Sequence, residues 1–384
     1  MTSTRIRIAE GIDRLKVALM RGALSGLHYT GAARLFGPRC RGRGVIFTLH
    51  SVAPTTPAAF DPNGILRVTP EFLEKAIQTT LAAGYDIVSL DEAARRLKST
   101  SDTGARPFAC FTFDDGYRDN RDFAYPIFKR YGVPMAIYVP AAYIDGEGDL
   151  WWLVLEHAIS AARSIEVQIA GNRFAFETHS PAEKSHAFRK IYWALRALPE
   201  REMRAKVREI ADKSGYEAAG LCRELVMTWD EIRALAADPL VTIAAHTVNH
   251  LAIAKLPADD ARWEIAESVR RVEAELGRPC AHFSFPYGDA TSAGPRDFEI
   301  AQSLGLATAV TTHKDVINGL APDLCGLPRI SLNGNFQKAR YVRVFLSGTP
   351  FALVRFAKRA KMRLRRPTAS SGAAGGRALA GKPA

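Results

Sequence analysis

FACFTFDDGYRDN, residues 108–120, runs from an apolar-rich hexapeptide into two adjacent acids and a glycine. The first six residues have the composition of a buried strand. A turn accounts for one Asp before a Gly, but a second beside it adds like-charge repulsion. The alternative is a division of labour, in which one carboxylate holds a cation and the other handles a proton. Neighbouring side chains point different ways, so they can split those tasks. Partners elsewhere in the chain decide between the two readings.

Outward from this stretch, buried-type strands alternate with helices. GVIFTLH (44–50) ends on His50, and TPEFLEKAIQTTLAAGY (69–85) reads as a helix with Thr69 as cap, Pro70 first and Gly84 at its end. IVSL (87–90) reads as a short strand and DEAARRLK (91–98) as a short helix. NRDFAYPIFKRYG (120–132) predicts a helix kinked or starting late near Pro126. PMAIYVP (134–140) is another strand. Residues 141–227 break the rhythm with helices, a hairpin about the Gly171-Asn172 pair and a Ser180–Glu183 capping box, and are taken as an insertion that overhangs the site. The rhythm returns with a capping box at Thr228 and Glu231, then strands in VTIAAHTVNH (241–250), AHFSFPYG (281–288), LATAVTT (306–312) and LPRISL (327–332).

This alternation builds a parallel α/β sheet. His50, Asp114, Asp115, His246 and the Pro286-Tyr287-Gly288 turn all follow the C-terminal ends of strands. That is the face on which barrel sites sit, whereas an open sheet gathers its groups at one crevice. A (β/α) barrel is therefore expected. No GxGxxG follows the first strand and no GxxxxGK[ST] occurs, which disfavours dinucleotide and P-loop phosphate binding.

The chain has 384 residues and a formal net charge of +12. Residues 355–384 hold nine Lys/Arg and no acid, and residues 1–43 hold nine basic and two acidic residues, which leaves the middle at −4. A nucleic-acid reader carries its basic face on the folded body, so no nucleic-acid partner is expected. Basic ends around a mildly acidic body suit a peripheral hold on anionic lipid. Ile8, Ile12, Leu15 and Leu19 fall at helical spacing among Arg and Lys, and Phe351, Leu353, Val354 and Phe356 precede KRAKMRLRR. The same stripes could equally pack on the body. The expected organisation is a basic amphipathic segment (1–43), a catalytic domain (44–345) carrying the insertion, and a basic C-terminal segment with a disordered tail (346–384). Five scattered cysteines without CxxC, no apolar run of membrane-spanning length and no secretory signal lead to a cytoplasmic expectation, peripheral on the inner face of the membrane.

His246 and His250 stand four apart in HTVNH. On one helical turn they would share a face and could hold one ion. Two imidazoles and a carboxylate leave coordination positions open, as a catalytic metal requires.

TFDDG (112–116), HTVNH (246–250) and FPYG (285–288), in this order, resemble the polysaccharide deacetylases of carbohydrate esterase family 4, the NodB homology domain. The resemblance covers about residues 45–345 outside the insertion. It implies a distorted (β/α) barrel, a divalent metal (zinc first, with cobalt or another divalent ion as alternatives), and removal of acetyl groups from N-acetylated glycans or glycan precursors. It assigns Asp114 as general base, Asp115, His246 and His250 as metal ligands, and the Tyr287 N–H after Pro286 as an oxyanion donor. Two family features are missing. The arginine that pairs with the base is Ser284 here, and the late histidine acid is Asn333. With FTLHSV (47–52) and LPRI (327–330), these departures resemble the poly-N-acetylglucosamine deacetylase branch. His50 becomes the candidate acid, with His313 as its rival, and Arg329 the candidate replacement for the missing arginine. Trp151 and Trp152 open the insertion, where Trp151 is a candidate sugar platform or an anchor for the inserted helix. Two other readings stay open: a hydrolase of small cyclic amides on the same barrel, and a glycan-binding protein that has lost catalysis.

Overall fold

The structure, a computed structural model, describes residues 3–54, 58–99, 106–319 and 322–365, with the backbone alone for 3–14 and 363–365. The side chains of Ile8 and Ile12, and the tail expected to be disordered, lie outside the described residues.

Eight strands form one sheet: β1 (Gly44–Leu49), β2 (Asp86–Ile87), β3 (Phe108–Phe113), β4 (Met135–Val139), β5 (Val241–Ala245), β6 (His282–Ser284), β7 (Thr308–Val310) and β8 (Ile330–Ser331). All pairings in it are parallel, in the order β7-β6-β5-β4-β3-β1-β8. The first residues of β3 also take β2, Asp86 lying opposite Phe108, and its last take β4, Phe113 lying opposite Ile137. Leu327 bridges Val310 of β7 just before Ile330 of β8 pairs with Phe47 of β1. One irregular segment thus ties the two edges together, and the sheet is a distorted (β/α) barrel. Strands β1, β3 and β4 are buried at every position, as strands with a filled interior and a helical cover must be.

Register decides where the polar strand ends fall. Leu49 lies opposite Phe113, so His50 and Asp114 emerge side by side. Val139 lies opposite Ala245, which brings His246 to the same rim.

Several helix starts follow their local chemistry. Thr69 accepts from the Phe72 N–H at the head of Pro70–Ala82, and full capping boxes open Pro181–Ala197 and Trp229–Ala236. Around Pro126, a π-helical turn at Asn120–Ala124 precedes the α-helix Tyr125–Tyr131, because proline supplies no N–H to the ladder. Two local readings need correction. The strand at 87–90 stops at Ile87, since Ser89 caps the helix Leu90–Lys98. The hairpin Ser164–Ile169/Asn172–Glu177 turns on Ala170 and Gly171, both at positive φ (47° and 76°), and not on Gly171-Asn172.

Within 141–227, the helix Trp151–Ala161 packs on Pro181–Ala197 and Glu200–Ser214, with the hairpin against the last two. The N-terminal helix Ser3–Tyr29 packs on Ala339–Leu346 and on Pro181–Ala197, while Ala32–Cys40 packs on Thr349–Arg365. Among the described residues no helix is long and apolar enough to cross a membrane.

Candidate active site

The strand ends place Asp114 and Asp115 in opposite surroundings. The Arg329 guanidinium donates to both oxygens of Asp114, each at 2.7 Å. Its remaining N–H groups reach Thr112 Oγ1 (3.2 Å), the Thr311 carbonyl (2.9 Å) and Ser284 Oγ (2.9 Å). Arg329 is fully buried, so this guanidinium is held entirely by protein acceptors. Ser284 lies where a longer basic residue was expected, and its short side chain accepts from the arginine that arrives from the opposite edge of the barrel. Burial pushes the Asp114 carboxyl up, but the Arg329 charge outweighs it and holds the group well below the usual carboxylate range. Asp114 is therefore an ionised carboxylate with lone pairs left to accept a proton.

Asp115 turns the other way, at a left-handed φ of 73°. Its Oδ1 lies 3.2 Å from His250 Nε2 and 3.7 Å from His246 Nε2 and has no hydrogen-bond partner. Ligand atoms of Asp115, His246 and His250 all lie within 4.8 Å of one another, and all three residues are buried. The Nδ1 of His246 is 2.6 Å from the Ser284 carbonyl, which fixes that nitrogen as the donor and frees Nε2. Burial pushes the His246 imidazole down to about 4, so it is neutral at physiological pH. A carboxylate oxygen without a hydrogen bond and an imidazole locked with its free nitrogen toward it form a donor set that fits a divalent cation.

The two histidines do not share a helical turn, as HTVNH had predicted. Residues 246–250 form a loop in which Thr247 and His250 have φ of 64° and 54°. With Asp115 and Tyr287 (φ 61°) they are four of the five non-glycine residues at positive φ among the described residues. Strain concentrated in this way marks a site whose surroundings impose its geometry. Part of that imposition comes from Glu264, whose carboxylate accepts from Val248 N (2.9 Å), Asn249 N (3.0 Å) and Asn249 Nδ2 (2.6 Å). Arg204 of the insertion adds bonds to the carbonyls of Asn249 (2.9 Å) and His250 (3.2 Å).

The Pro286-Tyr287-Gly288 turn stands beside this loop. Among the described residues the Tyr287 N–H donates no hydrogen bond, which leaves it available to an anion. Gly288 is required there: at φ 59° a Cβ would sit 2.5 Å from the Thr312 nitrogen. The Tyr287 ring lies 4.9 Å from the His250 ring, and its hydroxyl accepts from Trp151 Nε1 at 2.7 Å. Trp151 is fully buried, stacked on Tyr192 at 4.9 Å and edge-on to Trp152. The sugar-platform reading of Trp151 is therefore corrected. With both its N–H and its faces engaged by protein, it anchors the inserted helix and props Tyr287. Trp152 lies 5.2 Å from the His250 ring, so the insertion packs directly on the site.

His50 follows β1 and is half-buried, and the register of β1 with β3 sets it beside Asp114. Its carbonyl accepts from Asn120 Nδ2 at 2.7 Å. His313 is exposed, and its carbonyl accepts from the Arg329 N–H at 3.0 Å. Asn333 is engaged locally, with Ser331 Oγ at 3.0 Å and the Asn335 N–H at 3.0 Å.

A family model described as "Polysaccharide deacetylase" matches residues 101–309. The chain belongs to the polysaccharide deacetylase family. Among solved structures, IcaB from Ammonifex degensii is similar at 15% identity and a TM-score of 0.50, over 80% of this chain and 97% of that one, which supports the fold. The deacetylase PplD from Streptococcus pyogenes, solved in complex with acetate, is 18% identical with a TM-score of 0.48, over 75% of this chain and 92% of that one. No curated protein matches the sequence.

In this polysaccharide deacetylase, motif reading missed the supports of the site. Arg196 lies 3.7 Å above the Tyr287 ring and pairs with the buried Glu200 and with Asp289. Nothing in its local sequence marks it. Glu264 did leave a signal: it shares the buried stripe Ala261, Ile265, Ser268 and Val272 of its helix, where an acid must have a partner.

Proposed function

We propose that this deacetylase hydrolyses the acetamido groups of N-acetylated hexosamine units in a glycan or glycan precursor, releasing acetate and a free amine. The observation that carries the proposal is the bidentate Arg329–Asp114 pair beside the Asp115, His246 and His250 cluster. A protein that merely bound glycan would need no buried carboxylate kept ionised beside an open ligand set.

Asp115, His246 and His250 would hold a divalent cation, zinc by preference, and such an ion when bound polarises the acetyl carbonyl and acidifies water. Asp114 takes the proton from the attacking water, and Arg329 keeps that carboxylate ionised and fixes its orientation. The Tyr287 N–H donates to the oxyanion as the carbonyl carbon becomes tetrahedral. The C–N bond then breaks, and His50 gives the departing nitrogen its proton. Trp151 and Arg196 hold the Tyr287 ring, so the backbone N–H beside it stays aimed.

The test is acetate release from acetylated chito-oligosaccharides by the purified chain. Acetate should appear, cease with a chelator and return with zinc or cobalt. Undiminished release from metal-stripped protein would overturn the metal-dependent reading.

A further inference from the structure

Most exposed large apolar side chains among the described residues lie on the terminal helices and not on the barrel. On Ser3–Tyr29, Leu15 (57%), Leu19 (64%) and Met20 (48%) face solvent, and Leu15 and Leu19 are one helical turn apart. The same helix carries five Lys/Arg against two acids. Its later part is anchored: Leu24 is buried, and Ser25 Oγ accepts from Arg340 Nε at 3.2 Å.

This helix lies at the rim of the site. Arg21 Nε donates to the Asn335 carbonyl at 2.8 Å, in the loop that follows the C-terminal end of β8. It also packs on Pro181–Ala197, whose Tyr192 stacks on Trp151 and whose Arg196 covers Tyr287. That inserted helix exposes Trp193 (66%).

We propose that the N-terminal helix, together with Trp193 of the inserted helix that packs on it, docks on an anionic lipid bilayer, and that glycan displayed at that bilayer is the substrate. The second part rests on the deacetylase reading above. The choice of occupant follows from charge and apolarity together. An apolar stripe set among Lys and Arg matches acyl chains below and anionic headgroups above. A second copy would set like charge against like charge, and nucleic acid would leave Leu15, Leu19 and Met20 uncovered. Tryptophan favours the level of the headgroups, where its ring is in an apolar layer and its N–H is wet. The rim position then brings the catalytic groups to glycan held at the surface.

The test uses the full chain with phosphatidylcholine vesicles, with and without phosphatidylglycerol, and the variants Leu15→Glu/Leu19→Glu and Trp193→Glu. Because these side chains are exposed, the variants keep the fold. The parent should sediment with the anionic vesicles, less so as salt rises, and not with phosphatidylcholine alone. Leu15→Glu/Leu19→Glu should bind at least about tenfold more weakly, the effect of removing one apolar side chain's burial, and Trp193→Glu should weaken binding in the same direction. Acetate release from a soluble acetylated oligosaccharide should be unchanged, while release from the same oligosaccharide coupled to phospholipid in vesicles should fall with binding. Undiminished binding of the double variant, equal binding to neutral vesicles, or an unchanged rate on the vesicle-borne substrate would each overturn the proposal. If the parent releases no acetate even from the soluble substrate, the deacetylase reading fails, and vesicle binding still decides the docking surface.

Discussion

Arg329, just before the edge strand β8, and Asp114, at the end of the interior strand β3, meet as a buried bidentate pair, with both Nη–O distances at 2.7 Å. The pair accounts for the otherwise anomalous Ser284, which supplies room and a hydrogen bond to the guanidinium. Replacing Arg329 by Met removes the charge that holds Asp114 down and leaves burial, which pushes it up. Asp114 would then stay protonated to higher pH, so the acid limb of the kcat/KM profile of Arg329→Met should move upward. Breaking a buried pair costs about 3–5 kcal/mol, to be read by chemical denaturation. A profile that does not move would mean that Arg329 only packs.

Glu264 holds the ligand loop through three hydrogen bonds and touches no ligand atom itself. Glu264→Gln replaces one acceptor oxygen with a donor that faces N–H groups. Metal affinity should fall about 10–100-fold, as for other groups that orient ligands from behind. A metal-binding titration reads this directly, and unchanged affinity would place the loop's stiffness elsewhere.

An amine leaving a tetrahedral centre needs a proton, and Asn333 cannot give one. His50→Ala should keep metal and fold yet slow amide turnover by about 10²-fold or more, the size of general acid catalysis. An aryl acetate ester, whose leaving group departs without a proton, should be affected far less. Equal losses on the two substrates would make His50 an orienting group and turn attention to His313.

Asp119 is half-buried beside Ser51, and desolvation pushes its carboxyl up to about 6 despite hydrogen bonds from Ser51, Val52 and Asn120. In the unfolded chain an aspartate titrates near about 3.9. The folded state therefore binds the proton more tightly, and its contribution is full below about pH 4 and lost as pH rises through about 6. Asp119→Asn should flatten the decline in stability over that window, measured as Tm against pH. An identical slope in the variant would show that Asp119 is solvated in the folded chain.

Much of this was legible because it is written locally. Thr69, Ser180 and Thr228 announce their helices through hydrogen bonds to residues three positions away. His50, Asp114 and His246 announce the rim because each directly follows a buried strand. What could not be read locally depends on the loops. The turn at 246–250 is held left-handed by Glu264 and Arg204 from other elements, so a helical reading of the His spacing was bound to fail. Trp151 reads as a sugar platform until the fold brings Tyr287 to its N–H and Tyr192 to its face. Arg196 leaves no trace in sequence, because its partner ring belongs to a residue in another strand's turn.

The division of labour between the two adjacent aspartates is the centre of the account, and parallel measurement of bound metal and acetate release in Asp114→Asn and Asp115→Ala tests it most directly. Asp115→Ala should lose the ion and the activity together, because its Oδ1 belongs to the ligand cluster. Asp114→Asn should retain the ion at full stoichiometry while turnover falls by about 10²-fold or more, because only the proton acceptor is gone. Loss of the ion from Asp114→Asn, or an active Asp115→Ala without metal, would contradict that division.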